Sequence, residues 1–365
     1  MKLCLLGDAQ SIHLQRISAG LARRGMQVHV VTHKPAEIDG VNVERFRVPP
    51  PGLTNVRRWS ARRGHYLRGL LREFDVVHVH FLADWGFTPE ILGEGTLAVT
   101  PWGSDITPPP GEGAPSEELS AARRMLLTEA RLITAWSPRF ARAISNYSAV
   151  PCESIALVPL GVDTALFRRN ESSTQSVGGP PVVGFFKGFR PVYGGSVFVK
   201  AMPRIVQAIA DVRFCLIGDG AELSECQALA RRLDVDSRIQ WVSRLAHDHL
   251  PPHLEKWQVS VIPSWQESFG LAALESSAME LPVVASNVGG LPDAVREGVT
   301  GTLVEPGDCN GLADAVAALL RDADLRRRMG ALGREMVQGE YEWDQILDHW
   351  VGLYAELRAR RCVMV

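Results

Sequence analysis

The chain repeats one structural unit, and this repeat constrains its fold more than any other feature. In the first half, an apolar strand at residues 2–6 is followed by a turn, an amphipathic helix that stops at Gly25 and a strand at residues 27–32. The second half begins again with a strand at residues 182–186, a turn, a helix at residues 197–209 and a strand at residues 214–217. This order predicts a doubly wound parallel sheet, which binds ligands at the carboxyl ends of its strands. We therefore expect an α/β protein with two Rossmann-like domains facing a central cleft.

Chain length agrees with this division. At 365 residues, 46% of them apolar, the chain is long enough for two domains that each have a core. The polar run at residues 170–179 has little to bury, which places the boundary near it. The sequence predicts a first domain at residues 1–167, a second at residues 168–345 and a last helix at residues 346–365.

Composition narrows the class of function. A formal charge of -2 gives no global reason to expect a nucleic-acid partner, for which a basic balance is usual. The six cysteines have no Cys-x-x-Cys spacing, which indicates reduced core residues of a cytoplasmic protein. No apolar run approaches the roughly 20 residues that a membrane helix needs, so we expect at most peripheral membrane contact. The first turn lacks Gly-x-Gly-x-x-Gly, which argues against a dinucleotide oxidoreductase.

Two carboxylates bracket a strand-to-helix loop in the second half. Glu267 precedes the helix and Glu275 lies inside it, about two helical turns further on. Ser268 is a candidate cap of this helix, and Gly270 leaves the backbone open where helix-terminal NH groups attract anions. Carboxylates accept hydrogen bonds from vicinal hydroxyls, so the loop suits a polyhydroxylated ligand that carries phosphate. Two solvated glutamates are the alternative interpretation.

The whole phrase at residues 263–275 carries more information than its two carboxylates. Together with Gly289-Gly290-Leu291-Pro292-Asp293 and the phrase at residues 160–167, it resembles family 4 retaining glycosyltransferases, which have the GT-B fold. The resemblance implies a transferase that moves a sugar from a nucleotide-diphospho sugar to an acceptor hydroxyl without a metal or a cofactor. It also implies an acceptor-binding first domain, a donor-binding second domain and a last helix that crosses back to the first.

The resemblance assigns roles in donor binding. It implies that Glu275 binds the ribose hydroxyls, that Glu267 binds the donor sugar, and that backbone NH groups bind the sugar or phosphate. The residues that supply these groups follow Ser268 directly and are Phe269, Gly270 and Leu271. A UDP-sugar is the favoured donor, and a GDP-sugar is possible.

One donor-binding turn departs from the family pattern. The family usually has an Arg and a Lys that hold the donor diphosphate, and this chain has Gly188 and Tyr193 at those positions. Lys187 and Arg190 are near enough in sequence to replace them, and we expect them to stabilise the charge that develops on the leaving diphosphate. Ordinary surface charges are the alternative. Arg244 is a weaker candidate for the wall of the base pocket.

The first domain carries the acceptor-side candidates, which are Gly7, Ser11, His13 and Trp102. Ser11 is expected to cap the first helix. His13 lies in the first turn of that helix, and the alternative to an acceptor-side role for it is a surface or packing role. The turn at residues 101–106 resembles the family's His-Gly-x-Asp turn, but Trp102 stands where many members have His. Because an indole is neither an acid nor a base, stacking on a sugar face is the role left to it. Asp105 remains as the polar group of this turn and is a catalytic candidate.

Several polar clusters have simpler interpretations. The basic run at residues 57–72 could rest on anionic lipid or bind an acidic acceptor, but in an Arg-rich chain a solvated helix face is favoured. His78 and His80 point to one face of a strand and lack a third metal ligand, so we interpret them as strand residues. The pairs at 234/236 and 322/324 are Asp-x-Asp sequences in helix-end contexts, not metal sites. His247 is interpreted as part of a helix start, and residues 108–115 as a mobile loop over the cleft.

The acceptor and two other classes of function stay open at this stage. A small natural-product or aminocyclitol acceptor is possible, and so is a lipid-linked or saccharide one. A nucleotide-sugar epimerase or hydrolase would use the same two domains. A sugar-nucleotide-binding protein without catalysis would explain Trp102, Gly188 and Tyr193.

Overall fold

The computed structural model of the chain describes residues 1–46, 56–83, 85, 87, 91, 95–108, 115–169 and 179–362; the side chains of residues 56–61 and 361–362 lie outside this description. The described chain divides into two compact units. The first contains Met1–Val158 and Ile346–Val365, and the second contains Pro159–Gln345.

The first unit is built on a parallel sheet that has seven strands within the described ranges. Their order is β3-β2-β1-β4-β5-β6-β7, so the chain reverses direction across the sheet between β1 and β4. The strands are β1 (Lys2–Leu6), β2 (Gln27–Thr32), β3 (Asn42–Arg45), β4 (Val76–His80), β5 (Leu97–Thr100), β6 (Leu132–Ala135) and β7 (Ile155–Leu157). The helices are α1 (Ile12–Arg23), α2 (Val56–Glu73), α3 (Glu117–Glu129) and α4 (Pro138–Ser148).

The second unit repeats this plan with six parallel strands among the described residues, in the order β10-β9-β8-β11-β12-β13. The strands are β8 (Val182–Phe186), β9 (Arg213–Ile217), β10 (Ile239–Val242), β11 (Val259–Ile262), β12 (Val283–Ser286) and β13 (Gly301–Val304). The helices are α5 (Gly195–Ala208), α6 (Leu223–Arg232), α7 (Pro251–Leu254), α8 (Leu271–Ala278), α9 (Leu291–Ala294), α10 (Cys309–Arg321) and α11 (Ala323–Glu340).

Each sheet has a core that follows from the apolar runs of its strands. In the second unit, Phe185, Phe198 and Phe214 are buried together between the sheet and α5. Burial of each such side chain contributes about 1.5–3 kcal/mol. The predicted α/β class with two doubly wound parallel sheets is confirmed.

The last helix, α12 (Trp343–Cys362), packs within the first unit from Ile346 onward. Gly20 on α1 permits this contact, because a Cβ atom there would lie 2.5 Å from the Leu347 side chain. Two helical turns further along α12, the hydroxyl of Tyr354 is hydrogen-bonded to the ring of His78, a buried residue of β4.

The boundary between the units precedes the position expected from the polar run. Residues 159–167, which the sequence predicts to end the first domain, belong to the second unit. Hydrogen bonds to other residues of the second unit hold this segment in place. Val162 pairs with Glu342, and Arg334 donates hydrogen bonds to the carbonyls of Phe167 and Ala278. The neighbouring Arg169 donates to two further carbonyls of this unit. Most of the polar run, residues 170–178, lies outside the described residues.

Candidate active site

In the second unit, two candidate residues meet where the strand order reverses. Lys187 directly follows β8, and Glu267 lies in the loop after β11, the strand that pairs with β8. The Lys187 ammonium forms an ion pair with the Glu267 carboxylate, and their side chains are only 14% and 12% exposed. Ligands of doubly wound sheets bind outside the carboxyl ends of strands at such a point. The structure therefore brings this cation and this carboxylate together at the expected ligand position.

The electrostatic surroundings keep Lys187 charged. Burial is the largest single influence on the pKa of the Lys187 ammonium, and it lowers that pKa. The charge and hydrogen bond of Glu267, together with Tyr193 and Glu275, act in the opposite direction and outweigh burial, so the pKa is raised. The ammonium also lies 4.4 Å from the centroid of the Tyr193 ring, a favourable cation–π distance. Tyr193 stands where the family usually has a cationic residue, and here it instead packs against the neighbouring cation of Lys187.

Glycines after β9 position the Lys187 turn. Gly218 and Gly220 have positive φ angles of 148° and 153°, and a Cβ atom on either would lie 2.3 Å from the carbonyl oxygen of Lys187 or Phe189 respectively. Asp219 lies between these glycines. Its carbonyl accepts a hydrogen bond from the Phe189 amide, and its carboxylate accepts one from the Arg244 amide. The turns after β8, β9 and β10 are therefore held against one another.

A second glycine pair positions Glu267. A Cβ atom on Gly289 would lie 1.8 Å from the carbonyl oxygen of Glu267, and one on Gly290 would lie 2.5 Å from that of Ser268. The Gly290 amide also donates a hydrogen bond to the Glu267 carbonyl, at 2.9 Å. Only glycines allow the two loops to approach this closely.

The start of α8 differs from the expectation for Ser268. The N-cap is Gly270, in the left-handed region with φ of 100°, and no side chain caps the helix, so the predicted Ser268 cap is wrong. Ser268 lies too far upstream because the left-handed turn at Gly270 places the first helical residue at Leu271. The first NH groups of a helix have no partner within it, so the amides that follow this turn are suited to an anion.

Glu275 is buried on α8, and its partner was not anticipated. His247 Nε2 lies 2.6 Å from Glu275 Oε1, and the two side chains are 20% and 6% exposed. The Phe167 ring packs on the imidazole, with 5.0 Å between centroids. The sequence assigned His247 only to a helix start, and it does lie in a short 3-10 helix, His247–His249. Its contact with Glu275 joins residues 28 positions apart, for which the sequence offers no local signal.

The two other cationic candidates are exposed. The guanidinium carbon of Arg190 lies 5.9 Å from the centroid of Tyr193, so Lys187 and Arg190 share one aromatic neighbour. Arg244 follows β10, and its backbone amide donates a hydrogen bond to the Asp219 carboxylate. Trp265, which the sequence analysis did not assign to the site, lies in the loop after β11 that also carries Glu267. Its side chain packs against Gly307, and the residue is 45% exposed.

In the first unit, Trp102 packs against His13, one of the other acceptor-side candidates. Its ring lies 5.6 Å from that of His13 and 5.3 Å from that of Trp136, measured between centroids. Gly7, directly after β1, approaches the neighbouring His80 so closely that a Cβ atom there would lie 3.3 Å from the histidine Cβ. Ser11 is the N-cap residue of α1, as expected, but its side chain makes no capping hydrogen bond.

Asp105 organises the turn that carries Trp102. Its carboxylate is completely buried and accepts hydrogen bonds from the amides of Leu82, Trp102 and Gly103. Burial raises the pKa of this carboxyl group, and the backbone hydrogen bonds oppose that shift. Arg123 donates to the carbonyls of Asp105 and Leu82, which ties the same loops together. These contacts favour a positioning role for Asp105.

Two buried histidines, His78 and His80, lie on β4 with 4.0 Å between their ring centroids, and the ring of His80 lies 6.0 Å from that of Trp102. His78 is hydrogen-bonded to Tyr354 at 2.6 Å and to Thr100 at 2.7 Å, whereas both ring nitrogens of His80 are buried and lack a partner among the described residues. Burial lowers the pKa of His80 to about 3 and that of His78 well below its usual value. Both imidazoles are therefore neutral at ordinary pH.

Phe81, directly after His80, is another feature that the sequence did not indicate. Its φ angle of 72° lies in the left-handed region, which costs a bulky residue about 1–3 kcal/mol, and it is 37% exposed. It stands at the carboxyl end of β4, where the strand order of the first sheet reverses.

Other predicted features fall partly outside the description. The basic run lies in α2, and the side chains of its residues 57–59 lie outside the described part of the chain. Arg63, further along the same helix, donates a hydrogen bond to the Trp85 carbonyl. Of the loop at residues 108–115, residues 109–114 lie outside the described ranges. Across those ranges, no helix is long and apolar enough to cross a membrane. Nor do His, Cys, Asp and Glu residues form a group of three or more suited to a metal ion anywhere in the described part of the chain.

Comparison with known proteins identifies the class. Two family models match: "Glycosyltransferase Family 4" over residues 10–166 and "Glycosyl transferases group 1" over residues 180–322. The solved structure of HepE from Anabaena in complex with UDP is similar in fold, with a TM-score of 0.80 and 19% identity over 98% of this chain and 100% of that one. The fold is therefore that of the GT-B glycosyltransferases.

Two relatives narrow the identification. The D-inositol 3-phosphate glycosyltransferase of Corynebacterium efficiens is 28% identical over 98% of this chain and 93% of its own length. The GDP-mannose-dependent alpha-(1-6)-phosphatidylinositol monomannoside mannosyltransferase of Mycobacterium tuberculosis is 32% identical over 57% of this chain and 56% of its own. The chain belongs to glycosyltransferase family 4, and the resemblance noted in the sequence is confirmed.

Proposed function

We propose that this glycosyltransferase moves a sugar, with retention of anomeric configuration, from a nucleotide-diphospho sugar to an acceptor hydroxyl. A UDP-sugar is the proposed donor. The observation that carries the proposal is the grouping of Lys187, Glu267 and Glu275 near the carboxyl ends of the central strands of the second sheet. A cation and two hydroxyl-binding carboxylates are the groups that a nucleotide-diphospho sugar requires.

The roles in the second unit follow from its contacts. Lys187 binds the diphosphate with Arg190 and takes the place of the family cations absent at Gly188 and Tyr193. When phosphate oxygens engage Lys187, the Glu267 carboxylate is released from its ion pair and accepts hydrogen bonds from the donor sugar. Glu275 accepts the ribose hydroxyls.

The remaining donor contacts come from backbone and periphery. The amides of Phe269, Gly270 and Leu271, at the start of α8, bind the sugar or phosphate, and Ser268 lies beside them. Arg244 borders the base. The second unit is thus the proposed donor-binding domain.

The first unit is the proposed acceptor-binding domain. Trp102, with His13 packed against it, offers an aromatic face to the acceptor or sugar. Gly7 and Ser11, at the end of β1 and the start of α1, are the other proposed acceptor-side residues. Asp105 acts indirectly by holding the Trp102 turn through its three amide contacts. The contribution of Asp105 is therefore positional.

Retention is proposed to proceed on one face of the sugar. The bond between the anomeric carbon and the diphosphate breaks, the acceptor oxygen bonds to that carbon, and the leaving phosphate takes the acceptor proton. Lys187 stabilises the negative charge that grows on the diphosphate. The reaction then needs neither a protein nucleophile nor a metal ion.

A small polyhydroxylated acceptor is favoured, such as an aminocyclitol or a phosphorylated cyclitol. Its support is the name of the full-length relative, which acts on D-inositol 3-phosphate. The partial relative, named for GDP-mannose and a phosphatidylinositol mannoside, supports the alternative of a GDP-sugar and a lipid-linked acceptor.

The test is a transfer assay with UDP- and GDP-sugars against inositol phosphates, aminocyclitols and a lipid-linked saccharide. Transfer to a small acceptor, with the donor's anomeric configuration retained by NMR and activity unchanged in EDTA, is the expected result. Glu267→Ala and Lys187→Ala should each lower the transfer rate at least a hundredfold, as expected for electrostatic catalysis. The exposed Lys200→Ala is the matched control.

Three results would contradict the proposal. Turnover of the donor without an acceptor would favour the epimerase or hydrolase. Binding without transfer across the whole donor panel would favour the inactive binding protein. An unchanged rate in Glu267→Ala would remove the central assignment.

A further inference from the structure

His247 is placed to control the orientation of Glu275. Its ring contacts two groups of the second unit: the Glu275 carboxylate, 2.6 Å from Nε2, and the Phe167 ring, 5.0 Å away between centroids. Most of both polar side chains is withdrawn from solvent, with 20% of the histidine and 6% of the glutamate exposed. The contact is therefore a built feature of the site rather than a pairing on the open surface.

The chemistry of the two groups fixes the direction of this hydrogen bond. An ionised carboxylate can only accept, so the His247 ring must carry a proton on Nε2. The bond engages Oε1 of Glu275 and does not engage Oε2. A carboxylate held by one oxygen presents the other in a defined direction.

The imidazole is itself held in place. Phe167, which packs on it, is anchored by its own backbone: its amide donates to the Asp163 carbonyl at 2.8 Å, and its carbonyl accepts from Arg334 at 3.1 Å. Phe167 is completely buried. Buried packing and a backbone anchor therefore restrict the His247 ring, which in turn restricts Glu275.

We propose that His247 is a positioning residue for nucleotide binding, which orients Glu275 so that its second oxygen accepts the ribose hydroxyls of a nucleoside diphosphate. This inference rests on the proposed function, in which Glu275 is the ribose-binding group. His247 acts through Glu275 and makes ribose recognition depend on the turn after β10.

The test compares a nucleoside diphosphate with its 2′,3′-dideoxy form, since only ribose hydroxyls differ between them. Calorimetry with UDP, GDP, ddUDP and ddGDP should show that the wild type binds the dideoxy form of its preferred nucleotide roughly tenfold more weakly, as for the loss of hydrogen bonds to a charged group. His247→Ala should reduce this discrimination to about twofold or less, because Glu275 is no longer oriented. His247→Gln, whose amide can still donate a hydrogen bond, should preserve most of it.

Two further variants separate the inference from the function beneath it. His249→Ala removes an exposed histidine from the same turn and should change nothing. Glu275→Gln should abolish the discrimination if Glu275 binds the ribose. Thermal unfolding confirms that each variant is folded.

The outcomes are distinguishable. Lost discrimination in Glu275→Gln with full discrimination in His247→Ala overturns the role of His247 and leaves the proposed function standing. Equal weakening of both nucleotide forms by His247→Ala indicates a merely structural role and also overturns it. Failure of the wild type to bind UDP or GDP, or to discriminate against their dideoxy forms, contradicts the proposed ribose recognition and the inference with it.

Discussion

Lys187 and Glu267, 80 positions apart in sequence, form an ion pair between the turns that follow the two central strands of the second sheet. A buried pair is costly to break from one side, because the remaining charge has lost both water and its partner. A ligand that supplies both an anionic group for Lys187 and hydrogen-bond donors for Glu267 can replace the ion pair without leaving either charge without a partner.

This pair predicts strong energetic coupling. Lys187→Met and Glu267→Gln should each destabilise the protein, the first by about 3 kcal/mol because it leaves a carboxylate unpaired in a largely buried site. The double variant should be less destabilised than the sum of the two single ones, by at least about 1 kcal/mol. Urea denaturation of the four proteins measures this difference, and simple additivity would contradict the ion pair.

The Lys187 pKa predicts a change at alkaline pH. Burial, the largest single influence, opposes the shift, but Glu267, Tyr193 and Glu275 together outweigh it, so the folded-state pKa lies above its ordinary value of 10.5. A raised pKa means that the folded protein binds the proton more tightly, so the stabilisation is fully present below pH 10.5 and is lost as pH rises through the folded pKa. The wild type should therefore lose more unfolding free energy above pH 10.5 than Lys187→Met does, whereas the exposed Lys200→Met should follow the wild type.

The periodic part of the architecture was predictable, but several contacts of the site were not. Apolar strands and amphipathic helices repeat over short distances, so the two doubly wound sheets follow from sequence. Lys187 was identified because it lies next to a family motif. The partnership of His247 with Glu275, by contrast, depends on how two turns pack. The cap of α8 was misplaced because the left-handed conformation of Gly270 reflects packing on Leu291 and Ala294, which no local pattern reveals.

The buried histidines of the first unit predict acid sensitivity. Their folded-state pKa values lie below the ordinary 6.5, that of His80 at about 3, so the unfolded chain binds protons more readily. Stability should therefore fall as pH decreases below 6.5, by about 1.4 kcal/mol per pH unit for each histidine until its folded pKa is reached. His80→Leu should remove one such contribution between pH 6 and about 4, as measured by urea denaturation at each pH. The exposed His249→Ala should keep the wild-type slope, and a wild-type slope in His80→Leu would contradict the prediction.

The contact between Tyr354 and His78 predicts that the last helix is held by a buried hydrogen bond. Tyr354→Phe removes the hydroxyl 2.6 Å from the imidazole and leaves a buried ring nitrogen without its partner. We expect a loss of about 1–3 kcal/mol of unfolding free energy. Tyr147→Phe, which removes a longer 3.4 Å contact in the same unit, is the matched control and should change stability by less than about 0.5 kcal/mol. Equal effects of the two substitutions would show that the buried bond adds nothing.

The close approach of Gly289 to Glu267 predicts that an added methyl group alters the site. In Gly289→Ala, the new Cβ atom would lie 1.8 Å from the Glu267 carbonyl oxygen, at a residue whose φ of 51° already disfavours side chains. One of the two loops must move, and the Glu267 carboxylate is displaced with it. We expect at least about a tenfold loss of transfer rate, since displacements near 1 Å can cost a hundredfold.

Its control is Gly339→Ala, on the exposed end of α11, where an added Cβ atom has nothing within 4 Å. That substitution should leave the transfer rate unchanged and raise stability by up to about 1 kcal/mol, because alanine favours the helix. Rates should be measured at saturating donor, so that a lower affinity is not mistaken for slower transfer. Wild-type activity in Gly289→Ala would mean that the Gly289–Gly290 loop does not set the position of Glu267.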